Sequence, residues 1–272
     1  MPLILVTNDD GFFSPGITAL ADALRPLGDV ITVAPQTEAS AVGHALTLRR
    51  PLRLEQERPN VYSVDGTPTD CVNIAIDKLL KQRPDIVVSG INAGLNTGRA
   101  ILHSGTVGAA LTAQNFGAKG LAVSVEAKEP WRWDTAATIA LEVLELLIEA
   151  PDRSVLNLNV PARARADIED VRWARLAAFG SVRAAIGEMQ TDGSLQIELQ
   201  ATGEQLPPDT DTALCAAGYA TLTTLVGIAE SWPPEQAETT VAQRPVPGAP
   251  VEALHSIPDA ADSRTLRSRE RA

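Results

Sequence analysis

Leu3-Ile4-Leu5-Val6-Thr7-Asn8-Asp9-Asp10-Gly11 is the stretch whose reading decides the fold. Four apolar residues in a row read as a strand buried on both faces, the kind found inside a parallel sheet. The run ends abruptly in an amide, two carboxylates and a glycine. Adjacent carboxylates repel, so a fold gains little by placing them at the mouth of an apolar strand. A divalent cation would remove the repulsion and use both as ligands, because Mg²⁺ and Mn²⁺ prefer oxygen donors. Gly11 lets the backbone turn sharply enough to expose them. A plain polar turn is the competing reading of these residues taken alone.

Working outward, further apolar, β-branched runs at 30–34, 86–89, 121–125 and 155–160 repeat the first strand at 3–6. Helical patterns lie between them. One follows Pro15-Gly16, with Ile17, Leu20, Ala21 and Leu24 on one face. Another follows Thr69-Asp70, expected to cap it. A third starts near Thr106, and a fourth spans 135–149. This alternation predicts an α/β fold, a Rossmann-like doubly wound and mostly parallel sheet in a three-layer α/β/α sandwich. The stretches 46–54 and 61–64 read as a β-hairpin excursion, 181–200 as a projecting C-terminal arm turning at Thr191-Asp192-Gly193, and 219–225 as a late strand. One domain over 1–234 is expected. From 235 to 272 the chain shifts to Pro, Ala, Glu and Arg without periodicity and reads as a disordered tail.

Composition narrows the function. With 272 residues, 44% hydrophobic and 21% charged, the chain can bury a substantial core. A net charge of −11 opposes non-specific binding to nucleic acid or an anionic membrane. It leaves room for a small anionic substrate, since a bound metal reverses the local field. The two cysteines, Cys71 and Cys215, are too few for a disulfide framework or a zinc site. No apolar run approaches the ~20 residues that span a bilayer, and no signal peptide is visible. A cytoplasmic location is expected.

In an open parallel sheet, ligands bind beyond the carboxyl ends of the strands, where strand order reverses. The first strand delivers Asn8, Asp9 and Asp10 there. The second delivers Thr37, Glu38, Ser40 and His44, and the third a glycine-rich segment holding Asn92 and Asn96. These loops offer carboxylate, hydroxyl and amide oxygens without requiring a histidine. Ser104-Gly105-Thr106 then opens a helix, whose N-terminal N–H groups suit a phosphate. Capping alone is the rival use of that serine and threonine. His44 and His103 lie on the same loops and could touch a phosphate, whereas His255 lies in the tail. There is no G-x-x-x-x-G-K-[ST], no G-x-G-x-x-G after the first strand and no G-x-S-x-G. A receiver domain would need an acceptor aspartate ending a central strand, and a haloacid-dehalogenase-type phosphatase would need D-x-D rather than adjacent aspartates.

These motifs resemble the SurE family of survival proteins, metal-dependent 5′-nucleotidases. The matching segments are Ile4 to Gly11, Val33-Ala34-Pro35 with Ser40 and Gly43-His44, and Gly66-Thr67-Pro68-Thr69-Asp70-Cys71-Val72. Ser89-Gly90-Ile91-Asn92 through Ser104-Gly105-Thr106-Val107 follows, then Asn157-Leu158-Asn159-Val160-Pro161, Asp211 and Gly218-Tyr219. The resemblance implies one Mg²⁺ or Mn²⁺ per subunit on Asp9, Asp10, Ser40 and Asn92. It also implies a homodimer or homotetramer built through the C-terminal arm, and hydrolysis of nucleoside 5′-monophosphates. Whether 3′-monophosphates or short polyphosphate are cleaved stays open. Asp9 and Asp10 are the expected catalytic groups; Asn8, Asn96, Ser104, Gly105 and Thr106 are the expected phosphate contacts. The chain departs from the family pattern at Arg99-Ala100, where an acidic residue is usual, and at His103 and Thr224-Leu225. A nucleotide-binding regulator without catalysis is the alternative reading.

Overall fold

The computed structural model describes residues 1–178, 182–187, 189, 192, 194–201 and 206–228. The elements run β1 (Leu3–Thr7), α1 (Pro15–Leu24), β2 (Asp29–Pro35), β3 (Leu54–Arg58), β4 (Val61–Val64), α2 (Pro68–Ile74), β5 (Ile86–Ala93) and α3 (Gly105–Thr112). They continue β6 (Lys119–Val125), α4 (Trp133–Glu149), β7 (Val155–Val160), β8 (Val171–Trp173), β9 (Val182–Ile186), β10 (Ile197–Ala201), α5 (Asp211–Ala216) and β11 (Ala220–Leu225). Nine strands form one sheet in the order β3-β4-β2-β1-β5-β6-β7-β11-β8, while β9 and β10 pair separately and antiparallel. From β4 to β7 all neighbours are parallel; β3 and β11 are antiparallel to β4 and β7. The expected doubly wound α/β sandwich is what the chain forms.

Both faces of the sheet are covered. Ile4 and Val6 of β1 pack with Ile17, Leu20 and Leu24 of α1 and Ile139 and Leu144 of α4. Leu5, facing the other way, packs with Cys71 and Val72 of α2 and Ala109 of α3. This alternation explains the unbroken apolarity of the strand, since each residue finds an apolar layer. Each such buried aliphatic side chain contributes about 1.5–3 kcal/mol. Strand order reverses at β1, with β2 on one side and β5 on the other, so a crevice opens above the carboxyl ends of β1 and β5.

Three expectations are corrected. The hairpin strand begins at Leu54, and 46–53 form no strand. The alternation of Leu46, Leu48, Leu52 and Leu54 imitates a strand, but Pro51 has no N–H to give a ladder. Arg50 and the Arg53 N–H instead bind the Asp65 carboxylate at 3.0 and 2.7 Å. The hairpin is also no excursion, because β4 extends the main sheet beside β2. The cap of α2 is Thr67. Asp70 sits three residues on and bonds back to the Thr67 N–H at 2.9 Å while its own N–H reaches Thr67 Oγ1 at 3.1 Å, a reciprocal capping box. The turn residues Thr191 and Gly193, and the tail 235–272, lie outside the described residues. Among those described, no helix is long and apolar enough to cross a membrane.

Asp211, fully buried at the start of α5, ties the far end of the glycine-rich loop to the fold. Its carboxylate accepts the N–H groups of Gly98 (2.8 Å), Ala177 (3.0 Å) and Thr212 (2.8 Å). Asp211→Ala takes the acceptor from the Gly98 and Ala177 N–H groups and is expected to destabilise by about 3 kcal/mol or more, read as a lowered urea midpoint. Asp211→Asn, which keeps an acceptor, should fall between. A loss under about 1 kcal/mol for the alanine variant would contradict this anchoring role.

Candidate active site

Asn8, Asp9 and Asp10 leave β1 at the crevice. Asn8 is wholly buried, and its Nδ2 donates to Gly11 O and Ser14 Oγ, both at 2.9 Å. Ser14 also caps α1. The amide thus fixes the turn that presents the two carboxylates, and Gly11, at φ +97°, supplies a conformation other residues rarely adopt.

Asp9 is 4% exposed. Its Oδ1 accepts the Thr106 hydroxyl at 2.5 Å and its Oδ2 the Thr106 N–H at 3.1 Å. Burial raises its pKa, and the Thr106 donors work against that rise. Glycine at 105 eases this close approach of the first turn of α3: an added Cβ would lie 3.0 Å from the Asp9 side chain, which would have to shift slightly. Asp10 is less enclosed and accepts the Ala93 N–H at 3.3 Å. Burial first, then the charge of Asp9 and then that of Glu38, push its pKa up to about 6.

The two other loops arrive as expected. The Ala39 N–H donates to Asp9 O at 2.8 Å, which brings the β2 loop to β1, and Ser40 Oγ donates to Glu38 Oε1 at 2.7 Å. Asn92 is held because β5 runs on through Ala93, pairing Asn92 with Ser124 of β6. Its Nδ2 donates to Gly94 O at 2.7 Å, which leaves Oδ1 as the acceptor to offer.

Two expected phosphate contacts are placed otherwise. Thr106 commits both its hydroxyl and its N–H to Asp9, so it is a positioning residue for that carboxylate. Asn96 is an anchor for the loop. Its N–H donates to Asn159 Oδ1 (2.8 Å), its Nδ2 to Ser124 Oγ (3.0 Å), and its carbonyl accepts Asn157 and Asn159 Nδ2, both at 2.9 Å. What remains is an oxygen, which an anion would avoid. Ser104 keeps a usable donor, since its Oγ accepts from Val107 N–H at 3.1 Å and its own proton is uncommitted. His44 is engaged with α3: its Nε2 lies 2.8 Å from Thr112 Oγ1, whose proton already serves Gly108 O, so the ring donates there. Burial lowers its pKa and favours that neutral form. His103 is exposed and contributes its carbonyl to Gly43 N–H. Asn157, Asn159, Ser14 and Asp211 all support the crevice. Sequence reasoning matched the Asn-Leu-Asn run of β7 without seeing that it carries the loop opposite.

The donors fit a hard divalent cation. Among the described residues no three His, Cys, Asp or Glu side chains gather; what the crevice offers is two carboxylates, an amide and a hydroxyl. All are oxygens. Thr7 Oγ1, Asn8 Oδ1, Ser89 Oγ, Thr97 Oγ1 and Asn157 Oδ1 are buried without a protein partner, and all five lie on the strands and loops of this crevice. Thr69 Oγ1, Arg132 Nε and Thr135 Oγ1 are likewise unpartnered, and unpaired groups of this kind suit ordered water.

Fold and site together define a doubly wound α/β protein with an acidic, oxygen-lined crevice at its switch point. Residues 4–181 match the family described as Survival protein SurE. The chain belongs to that family. It is 53% identical over 161 residues to the 5′-nucleotidase SurE of Geobacter metallireducens, covering 58% of this chain and 64% of that one. It is 40% identical over 227 residues to the 5′/3′-nucleotidase SurE of Proteus mirabilis, covering 82% and 89%. The first match therefore spans a little under two thirds of the relative's length. In three dimensions the chain resembles the SurE protein from Aquifex aeolicus, with a TM-score of 0.74, 33% identity, and coverage of 82% and 93%.

Proposed function

We infer that the chain hydrolyses nucleoside monophosphates to nucleoside and phosphate, 5′-esters first and 3′-esters as well, in a reaction that depends on a divalent cation. The observation that carries this reading is the pair Asp9–Asp10 at the switch point, both held above the ordinary carboxylate range by burial, with Asp10 further raised by its neighbour. A bound cation explains why a fold would tolerate that repulsion. The names of the Geobacter and Proteus relatives support the substrate class.

Asp9, Asp10, Ser40 and Asn92 would hold Mg²⁺ or Mn²⁺, which when bound would neutralise phosphoryl charge and make an attacking water more acidic. The remaining work falls to the chain. Thr106 and Gly105 fix the Asp9 carboxylate. Asp10, the more exposed of the two, is placed to orient a water and accept its proton. The free Ser104 hydroxyl would donate to a phosphoryl oxygen. The exposed apolar side chains Ile186, Met189 and Leu195 around the β9–β10 arm support self-association as a homo-oligomer.

Phosphate release from a panel of nucleoside 5′- and 3′-monophosphates, measured with Mn²⁺, with Mg²⁺ and with chelator, tests the reading. Release that needs the metal is expected. Nucleotide binding without release would move the assignment to a non-catalytic nucleotide-binding protein.

A further inference from the structure

We propose that Phe13 is the platform on which the nucleobase of the substrate stacks, and so determines preference for nucleotides over base-free phosphate esters. The proposal rests on the phosphomonoesterase reading above and adds to it the part of the substrate beyond the phosphate.

Phe13 stands on the loop that carries Asp9 and Asp10. Its side chain is 63% exposed, in a chain with only 4% aromatic residues. The fold does not need it in the core. Its neighbour Phe12 packs against the α1–α4 layer, and the Phe12 N–H is fixed to Pro35 O at 3.0 Å. Phe13 meets Phe12 edge to face, with ring centroids 5.5 Å apart and planes at 87°. Its ring lies against the Gly11 backbone, where an added Cβ would be 3.0 Å from Cε1. The ring is therefore held beside the residue that follows Asp10, with most of its surface left to solvent.

A nucleoside esterified to a phosphate at Asp9 and Asp10 has to leave the crevice across its rim. Stacking requires an open π-face there, and the other apolar candidates lack one. Leu46 and Leu102 are exposed but aliphatic. Trp131 and Trp133 stack on each other at 4.8 Å and 4° and pack against the core. An aromatic face accepts any base and favours the larger purines, because stacking grows with overlapping area.

The test compares wild type with Phe13→Ala and Phe13→Trp, using AMP, CMP and ribose 5-phosphate as substrates with Mn²⁺. Phe13→Ala is expected to raise the KM for AMP between about fivefold and a hundredfold. CMP should respond less, with kcat and the ribose 5-phosphate kinetics within about twofold of wild type; Phe13→Trp should restore the AMP value. Equal effects on AMP and ribose 5-phosphate, or no effect on either, would overturn the proposal. Calorimetric binding of the same three compounds separates the two readings. A wild type that turns over nothing yet loses affinity for AMP alone on Phe13→Ala would keep the platform and remove the enzyme. A wild type that binds none of them removes both.

Discussion

Asp9→Asn is expected to lower metal-dependent phosphate release from AMP by about a thousandfold or more, with the fold intact. The carboxylate sits at 4% exposure between strand β1 and the first turn of α3. No solvent-borne group can take its place. The substitution is nevertheless accommodated. An asparagine oxygen can accept the Thr106 N–H, and its NH₂ can donate to the Thr106 hydroxyl oxygen, which is free to rotate. What is lost is the negative charge, and with it the reason for a cation to bind. Initial rates with Mn²⁺, together with thermal melts in chelator, check this. Rates within tenfold of wild type would remove Asp9 from the active site.

The second large effect concerns stability and has opposite signs with and without metal. The Asp10 carboxyl is raised from 3.8 to about 6, mainly by burial and then by Asp9. The folded state therefore prefers the protonated form. The stability this confers is complete below about pH 4 and is lost as pH rises through about 6. In chelator, Asp10→Asn is then expected to melt higher than wild type at pH 8, by about 4 °C. This corresponds to up to about 2 kcal/mol after discounting for partial solvent screening. At pH 4 the two proteins should coincide. Saturating Mn²⁺ at pH 8 should reverse the order, because binding stabilises only a site that retains its charge. If Asp10→Asn shows no gain in chelator at pH 8, burial and the charge of Asp9 do not carry the energy assigned to them.

The parts of this molecule that could be read from its sequence are those specified locally. The strands β1, β2, β5, β6 and β7 are legible as apolar runs because both faces of the sheet are covered, and their polar ends mark the crevice. That rule gathers Asn8, Asp9, Asp10, Ser40, Asn92 and Asn96 at one edge of the sheet, and the family resemblance singles out four of them. The role of Thr106 stays hidden, because a threonine in a first helical turn reads alike as a cap, a phosphate contact or a brace. Only the neighbouring strand, 97 residues away in sequence, decides between them. The anchoring of Asn96 is hidden for the same reason, its partners lying 61 and 63 residues away in β7. Asp211, 113 residues from Gly98, gave no local signal of its purpose. The 46–54 stretch failed differently. Its leucines have the period of a strand, and a single proline with two arginines outweighed them.

The glycine-rich loop owes its course to groups outside itself. Asn157 and Asn159 grip the backbone of Asn96 from one side, and Asp211 grips Gly98 from the other. The exposed turn that follows, Arg99 and Ala100, is carried by this grip and contributes none of it. Such an arrangement separates inheritance of shape from inheritance of side chains. The outer turn can drift in evolution, gaining or losing charge at the entrance, while Asn92 upstream and Ser104 downstream keep their stations.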